Sequence, residues 1–194
     1  MSRIGVFGGT FDPPHVGHFI VAQDVLEHLQ LDTLLLMPVA TSPHKSASDA
    51  APAEVRARML EAGLGDHAHM RVSRLEVERA GVSYTVDTLA ALRRRSPDDE
   101  LLLVIGADQL ASFSTWRSPD EVLRLARLVV MDRGGLKAEQ VSQAAVSYQA
   151  VPVTRVDVSS TDVRRRLRDG RSIRYLVPEA VRRIIEDERL YIAK

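Results

Sequence analysis

Ile4-Gly5-Val6-Phe7-Gly8-Gly9-Thr10-Phe11-Asp12-Pro13-Pro14-His15-Val16-Gly17-His18 is the stretch on which the reading of this chain turns. A short apolar run meets paired glycines, and two histidines follow where an amphipathic helical pattern begins. Strand, glycine loop and helix start are the first half of a crossover unit. Glycines let backbone amides approach an anion closely, and a helix N-terminus adds unpaired donors and the positive end of its dipole. His15 and His18 stand three apart and share one helix face, with Gly17 between them leaving room for a bulky ligand. Spacing alone leaves three readings open: a phosphate site, a metal site completed by Asp12, and a pair of core histidines. The metal reading lacks the Glu-bracketed pattern of a zinc helix, so anion binding leads.

Outward from this unit the same alternation repeats. Apolar runs at Ile4 to Phe7, Leu34 to Val39, Met70 to Val77, Leu101 to Ile105 and Leu128 to Met131 predict strands. Helical patterns lie between them at Val16 to Leu31, Ala53 to Gly63, Thr85 to Arg95 and Asp120 to Ala126. The expected fold is α/β, a doubly wound and mainly parallel sheet with helices on both faces. Ligands of such sheets bind beyond the carboxyl ends of the strands, where the strand order reverses. Three strand-following loops carry the unusual residues: Gly8 to His18, Pro38 to Pro52 and Gly106 to Arg117. Ser46 to Ala53, small and polar, is expected to be the most mobile segment. His67 and His69 are assigned to a solvated turn.

The 194 residues predict one domain, 1–194, with a small helical part from about 159. With 26 basic and 26 acidic residues the net charge is zero, which argues against nucleic acid as a partner. The absence of cysteine excludes disulfide frameworks, Cys-ligated zinc and thiol nucleophiles, and fits a reducing compartment. The N-terminus meets glycine too soon for a signal peptide, and no apolar run approaches membrane-spanning length, so a cytoplasmic protein without a membrane partner is expected. The charge average hides a local bias. Between Arg155 and Arg174 seven arginines face three aspartates, either a solvated helix face or a phosphate site.

The first stretch resembles the (His/Thr)-x-Gly-His signature of the nucleotidyltransferase superfamily, in the form found in bacterial nicotinate-nucleotide adenylyltransferases. Further segments match that family in order: Pro38 with Ser42-Pro43-His44-Lys45; Ser83-Tyr84-Thr85-Val86-Asp87-Thr88-Leu89; Gly106-Ala107-Asp108 with Thr115-Trp116; Arg133; and Ser160-Thr161-Asp162-Val163-Arg164. The match spans essentially the whole chain. Gly134 departs from it, standing where the family usually has proline after the arginine.

The resemblance implies a Rossmann-like transferase of NAD (pyridine nucleotide) biosynthesis that joins ATP to nicotinate mononucleotide and releases pyrophosphate, with Mg²⁺ accompanying ATP. It assigns catalysis to His15, His18 and Arg164. ATP would be held by Gly8, Gly9, Thr10, Phe11, His15, His18, Gly106, Asp108, Arg133, Ser160, Thr161 and Arg164. Nicotinate mononucleotide would be held by Thr10, His44, Lys45, Tyr84, Thr85 and Trp116, with the Trp116 ring stacked on the cationic pyridine and the amides at Tyr84 and Thr85 taking the carboxylate. Four spacings separate Ser160 from Arg164, so hydroxyl, helix N-terminus and guanidinium can converge on phosphates.

Rival readings are another small adenylyl- or cytidylyltransferase acting on phosphopantetheine or a polyol phosphate, a non-catalytic nucleotide-binding regulator, and a His/Asp metallohydrolase. The first group shares the glycine-histidine loop but is not expected to share the Tyr84-Thr85 and Trp116 segments. An aminoacyl-tRNA synthetase would need far more chain. Self-association into a homo-oligomer is left open by the sequence.

Overall fold

The computed structural model describes residues 1–41, 50–134 and 146–192. Among these, six strands form one parallel sheet in the order β3-β2-β1-β4-β5-β6. They are β1 (Arg3–Gly9), β2 (Thr33–Pro38), β3 (Met70–Val72), β4 (Glu100–Gly106), β5 (Arg127–Asp132) and β6 (Gln149–Pro152). The chain winds outward from β1 to β3, returns to lay β4 beside β1, and then winds the other way. That reversal places a crevice beyond Gly9 and Gly106.

Side chains of successive strand residues point to opposite faces, and β4 shows what that does to a continuous apolar run. Leu102 and Val104 join Phe7, Leu34, Leu36 and Val129 under α1 (Val16–His28), which contributes Val21, Ala22, Val25 and Leu26. Leu101, Leu103 and Ile105 face the other way, with Val6, Leu128 and Val130, against Leu89 of α4 (Thr85–Arg95), Leu110 of α5 (Ala107–Ala111) and Val122 of α6 (Pro119–Leu125). Each of these leucines, fully buried, contributes about 1.5–3 kcal/mol. A third cluster joins α2 (Ala53–Leu64) to α7 (Ser160–Arg168) and α8 (Glu179–Asp187) through Met59, Val163, Val181 and Ile185. No helix among the described residues is long and apolar enough to cross a membrane.

The predicted order of elements is present, with differences that have local causes. Met70 to Val77 is a strand only over Met70–Val72, because α3 (Leu75–Arg79) begins where Leu75 and Glu76 are buried. The α1 helix stops at His28, where Gln30 takes the left-handed conformation (φ 48°) and the Leu31 amide closes onto the Leu26 carbonyl. β6 escaped the apolar-run criterion because Val151 is its only buried residue, and its edge position tolerates Pro152. Of Ser46 to Ala53, the segment expected to be most mobile, residues 46–49 lie outside the described residues, while Ala51 is buried with its amide on the Asp12 carboxylate and Ala53 begins α2. His67 and His69 do form a turn, in which the His67 ring accepts the amides of His69 and Met70.

Candidate active site

A cleft of about 730 Å³ opens beyond the carboxyl ends of the strands. Its lining includes Thr10, Phe11, Asp12, His15 and His18 of the first loop, Asp108 and Arg133 after β4 and β5, and Ser160, Thr161 and Arg164 of α7. His15 caps α1 with extended backbone, and its amide donates to His18 Nδ1 at 3.1 Å. A neutral imidazole that accepts at Nδ1 carries its proton at Nε2, so His18 presents an Nε2–H donor. The two rings stack at 3.7 Å, and the Phe11 ring lies edge-on to His18 at 4.9 Å. Phe11 is thereby buried, and what it can offer a ligand is backbone.

Both histidines are held neutral. Burial pushes His15 down to about 4, with the Arg133 charge adding to it. Burial, then His15 and Arg133, keep His18 well below its usual value. They act as hydrogen-bond donors at neutral pH, and among the described residues the carboxylates lining the cleft are Asp108 and the buried Asp12.

The sign of this depression fixes a pH dependence. A histidine with a lowered folded pKa costs no stability above about 6.5, and stability is lost as pH falls from there towards 4 because only the unfolded chain takes the proton. For His15 the loss by pH 5 is on the order of 2 kcal/mol. Urea midpoints at pH 7.5 and pH 5 are expected to differ less in His15→Gln than in the wild type by about that free energy; equal differences would show that His15 is protonated in the folded protein.

Two expectations about the first loop change. Gly17 does not leave room for a ligand: a Cβ there would lie 3.1 Å from His15 Nδ1 and 3.4 Å from Val156, so the space serves the packing of the histidine itself. The Val16 amide, one of the donors at the start of α1, is already taken by the Leu176 carbonyl at 3.0 Å. As for a metal, Asp12 turns its carboxylate to the Ala51 amide and the Tyr191 hydroxyl. Among the described residues no group of three histidine or acidic side chains is arranged to hold an ion.

The α7 helix is tied to this loop by two hydrogen bonds, between residues 147 and 152 apart in the chain. Ser160 Oγ donates to the Pro13 carbonyl at 2.9 Å and Arg164 donates to the Asp12 carbonyl at 2.5 Å. Arg165, on the next face, pairs with Asp162 in the open. Arg133 lines the cleft, followed by Gly134 at φ 75° with its amide on the Asp132 carboxylate at 2.9 Å. Proline can adopt neither that φ nor that donor role, which is why the turn here requires glycine.

Of the residues assigned to the second substrate, Thr10 lines the cleft and Tyr84, Thr85 and Trp116 lie outside its lining. His44 and Lys45 are outside the described residues. Gly8, Gly9 and Gly106 end their strands without lining the cleft. Tyr84 caps α4 next to the cleft wall, since the Ser83 amide donates to the Thr41 carbonyl and Ser83 Oγ accepts the Ala40 amide. The Trp116 ring is half-buried against Phe113 at 5.2 Å. Its neighbour Arg117 lays a guanidinium 4.6 Å from the centre of the Tyr84 ring, which links the two walls of this second patch.

Sequence reasoning missed Arg117, Glu76 and Arg56. Glu76 is buried under α4, accepts from Thr88 Oγ1 at 2.6 Å, and has its carboxyl pushed up by burial. Arg56, 3% exposed, donates to the carbonyls of Thr10, Ala40 and Ala51. On an amphipathic helix it reads as a surface residue, and no local signal marks it.

Residues 6–166 match the family described as cytidylyltransferase-like. A protein of Gemmatimonas aurantiaca described as a probable nicotinate-nucleotide adenylyltransferase is 44% identical over 97% of this chain and 92% of its own length. One of Shouchella clausii with the same description is 41% identical over 98% of this chain and 97% of its own. In shape, the chain is similar to the Plasmodium falciparum nicotinic acid mononucleotide adenylyltransferase complexed with NaAD, with a TM-score of 0.81, 16% identity and 98% of each chain covered. At that identity the likeness speaks for the fold.

Proposed function

The chain belongs to the cytidylyltransferase-like family and, within it, to the nicotinate-nucleotide adenylyltransferases, and from that premise we propose how its own groups carry the reaction. The enzyme transfers the adenylyl group of ATP to nicotinate mononucleotide, giving nicotinate adenine dinucleotide and pyrophosphate in NAD biosynthesis. A phosphate oxygen of the mononucleotide attacks the α-phosphorus, and the bond to the bridging oxygen of the β-phosphate breaks. With its second pKa near about 6, the attacking phosphate is already largely dianionic, so no base is needed. Catalysis reduces to alignment and to donors aimed at developing charge.

His18 Nε2–H is the donor at the α-phosphate, and His15, stacked on it, shares the phosphates. Arg164, Ser160 and the N-terminus of α7 take the β- and γ-phosphates, with Arg133 beside the histidines and Asp108 and Gly106 at the adenosine. Mg²⁺ would arrive with ATP and would supply charge neutralisation at the triphosphate; among the described residues lining the cleft, Asp108 is the carboxylate that could help hold it, since Asp12 is turned to Ala51 and Tyr191. Tyr84 and Thr85 amides at the start of α4 receive the nicotinate carboxylate, Trp116 stacks on the pyridinium, and His44, Lys45 and Thr10 take the mononucleotide phosphate.

The observation that carries this reading is the pair of bonds from Ser160 and Arg164 to the carbonyls of Pro13 and Asp12, which joins two phosphate-binding elements distant in sequence into one cleft. Incubation with ATP, Mg²⁺ and either mononucleotide, with products identified by mass, tests it. Nicotinate adenine dinucleotide and pyrophosphate are expected, with nicotinamide mononucleotide the poorer substrate; nucleotide binding without pyrophosphate release would leave a regulator instead.

Arg164→Ala is expected to weaken ATP and pyrophosphate binding by roughly 10- to 100-fold, the value of a charge-assisted hydrogen bond. Arg165→Ala, removing an exposed pair with Asp162, should stay within about twofold. Similar ATP titration curves for the two variants would mean that the basic helix acts as a diffuse field.

A further inference from the structure

Asp12 is 4% exposed and its carboxylate is shared among three segments of the chain. Oδ1 accepts from the Tyr191 hydroxyl at 2.6 Å and from the Ala51 amide at 3.0 Å, while Oδ2 stands 3.6 Å from the Arg164 guanidinium. That last distance is an ion pair but longer than a hydrogen bond. Arg164 instead donates to the Asp12 carbonyl at 2.5 Å and to Thr161 Oγ1 at 3.3 Å. The carboxylate is therefore divided: Oδ1 is committed to Tyr191 and Ala51, while Oδ2 faces the guanidinium without a hydrogen bond to it. Tyr191 reaches this place through an unusual backbone: Arg189 and Tyr191 both adopt positive φ, 52° and 63°, a region that side chains other than glycine seldom occupy. Burial and the neighbouring Asp12 charge push the phenol upward, so it remains a donor at all physiological pH.

We infer that Tyr191 is a positioning residue for the phosphate clamp: by holding the Asp12 carboxylate, it keeps Arg164 from being captured by that carboxylate and leaves the guanidinium available to ATP. The ring of Tyr191 also packs against the cluster of Met59 and Val163, and a residue that only packed there would tolerate loss of its hydroxyl. The hydroxyl is what the inference concerns. Without it, Oδ1 keeps only the Ala51 amide, the carboxylate is under-solvated, and the nearest compensating charges are the buried Arg56 and Arg164. Arg56 is committed to three carbonyls, so Arg164 is the cation that moves.

This inference rests on the proposed role of Arg164 at the ATP phosphates, and a double-mutant cycle separates the two. Tyr191→Phe is expected to raise the Kd and KM for ATP by roughly 5- to 20-fold, while kcat at saturating ATP and the KM for nicotinate mononucleotide stay within about twofold. In an Arg164→Ala background the same substitution should add less than about twofold, because the residue through which it acts is gone. Equal effects in both backgrounds, an unchanged ATP Kd, or a parallel rise in the mononucleotide KM would overturn it, as would an Arg164→Ala variant that binds ATP like the wild type. Should Tyr191→Phe prove unfolded by circular dichroism, Asp12→Asn keeps the acceptor for Tyr191 and removes the charge facing Arg164. Its ATP Kd must then differ from that of the wild type only while Arg164 is present, and an effect that persists in Arg164→Ala refutes the inference. A wild type that forms no dinucleotide refutes the proposed function; an active wild type with an additive cycle refutes only the role of Tyr191.

Discussion

Replacing His18 by alanine is expected to lower kcat by on the order of 100-fold or more while ATP affinity changes by only a few fold. The reason lies in the direction of its proton. Because His18 Nδ1 accepts the His15 amide, the ring is fixed as the Nε2–H tautomer, and its stack on His15 and edge contact with Phe11 hold it in place without help from substrate. Such a donor gains most when charge grows on the α-phosphate oxygens, and the ground state feels it less. Turnover at saturating ATP and ATP titration, measured on the same preparation, separate the two effects. Equal losses in both, or none, would make His18 a binding or structural residue. The depressed pKa adds a check: as a neutral donor, His18 should give a kcat that does not fall between pH 7 and pH 9.

Trp116→Ala carries the second large effect. Losing a cation-stacking face and its buried area is expected to cost about 1–3 kcal/mol, or roughly 5- to 150-fold in kcat/KM, for both mononucleotides, since both carry the same pyridinium. The preference for the acid should survive, because the groups assigned to the carboxylate are backbone amides at the start of α4 and not the indole. The ring lies tilted against Phe113 with centroids 5.2 Å apart, and the residue is partly buried. Comparing kcat/KM for the acid and the amide in wild type and variant decides it. Unchanged efficiency would leave Trp116 as a packing residue of the second core cluster, and a collapsed ratio would transfer the choice between acid and amide from the helix terminus to the ring.

The fold was legible because its signals are local. The apolar run before Gly8, the glycine pair and the histidines three apart each depend only on near neighbours in the chain, and β1, its loop and α1 follow from them. The continuous apolar stretch of β4 announces burial on both faces, and both faces are buried. What local patterning mistook was also local: Leu75 and Glu76 continue an apolar alternation from Met70 but turn into a helix, and β6 has a single buried residue with which to announce itself.

The sequence by itself determined the parallel α/β order of the strands it marked, the cleft beyond the ends of β1 and β4, the family, and the pairing of His15 with His18, since helical spacing alone brings residues three apart together. Tertiary structure alone decided that Gly17 makes room for His15 and not for a ligand, that Arg164 meets the first loop through the Asp12 carbonyl, and that Asp12 faces Tyr191 and Ala51 and not a metal. It also decided that Arg56, which reads as a solvated helix residue, is buried among three carbonyls of three segments. Periodicity and turn chemistry are properties of adjacent residues, whereas the partner of a buried polar group is whatever segment the strand order carries to it, here from 152 or 179 residues away.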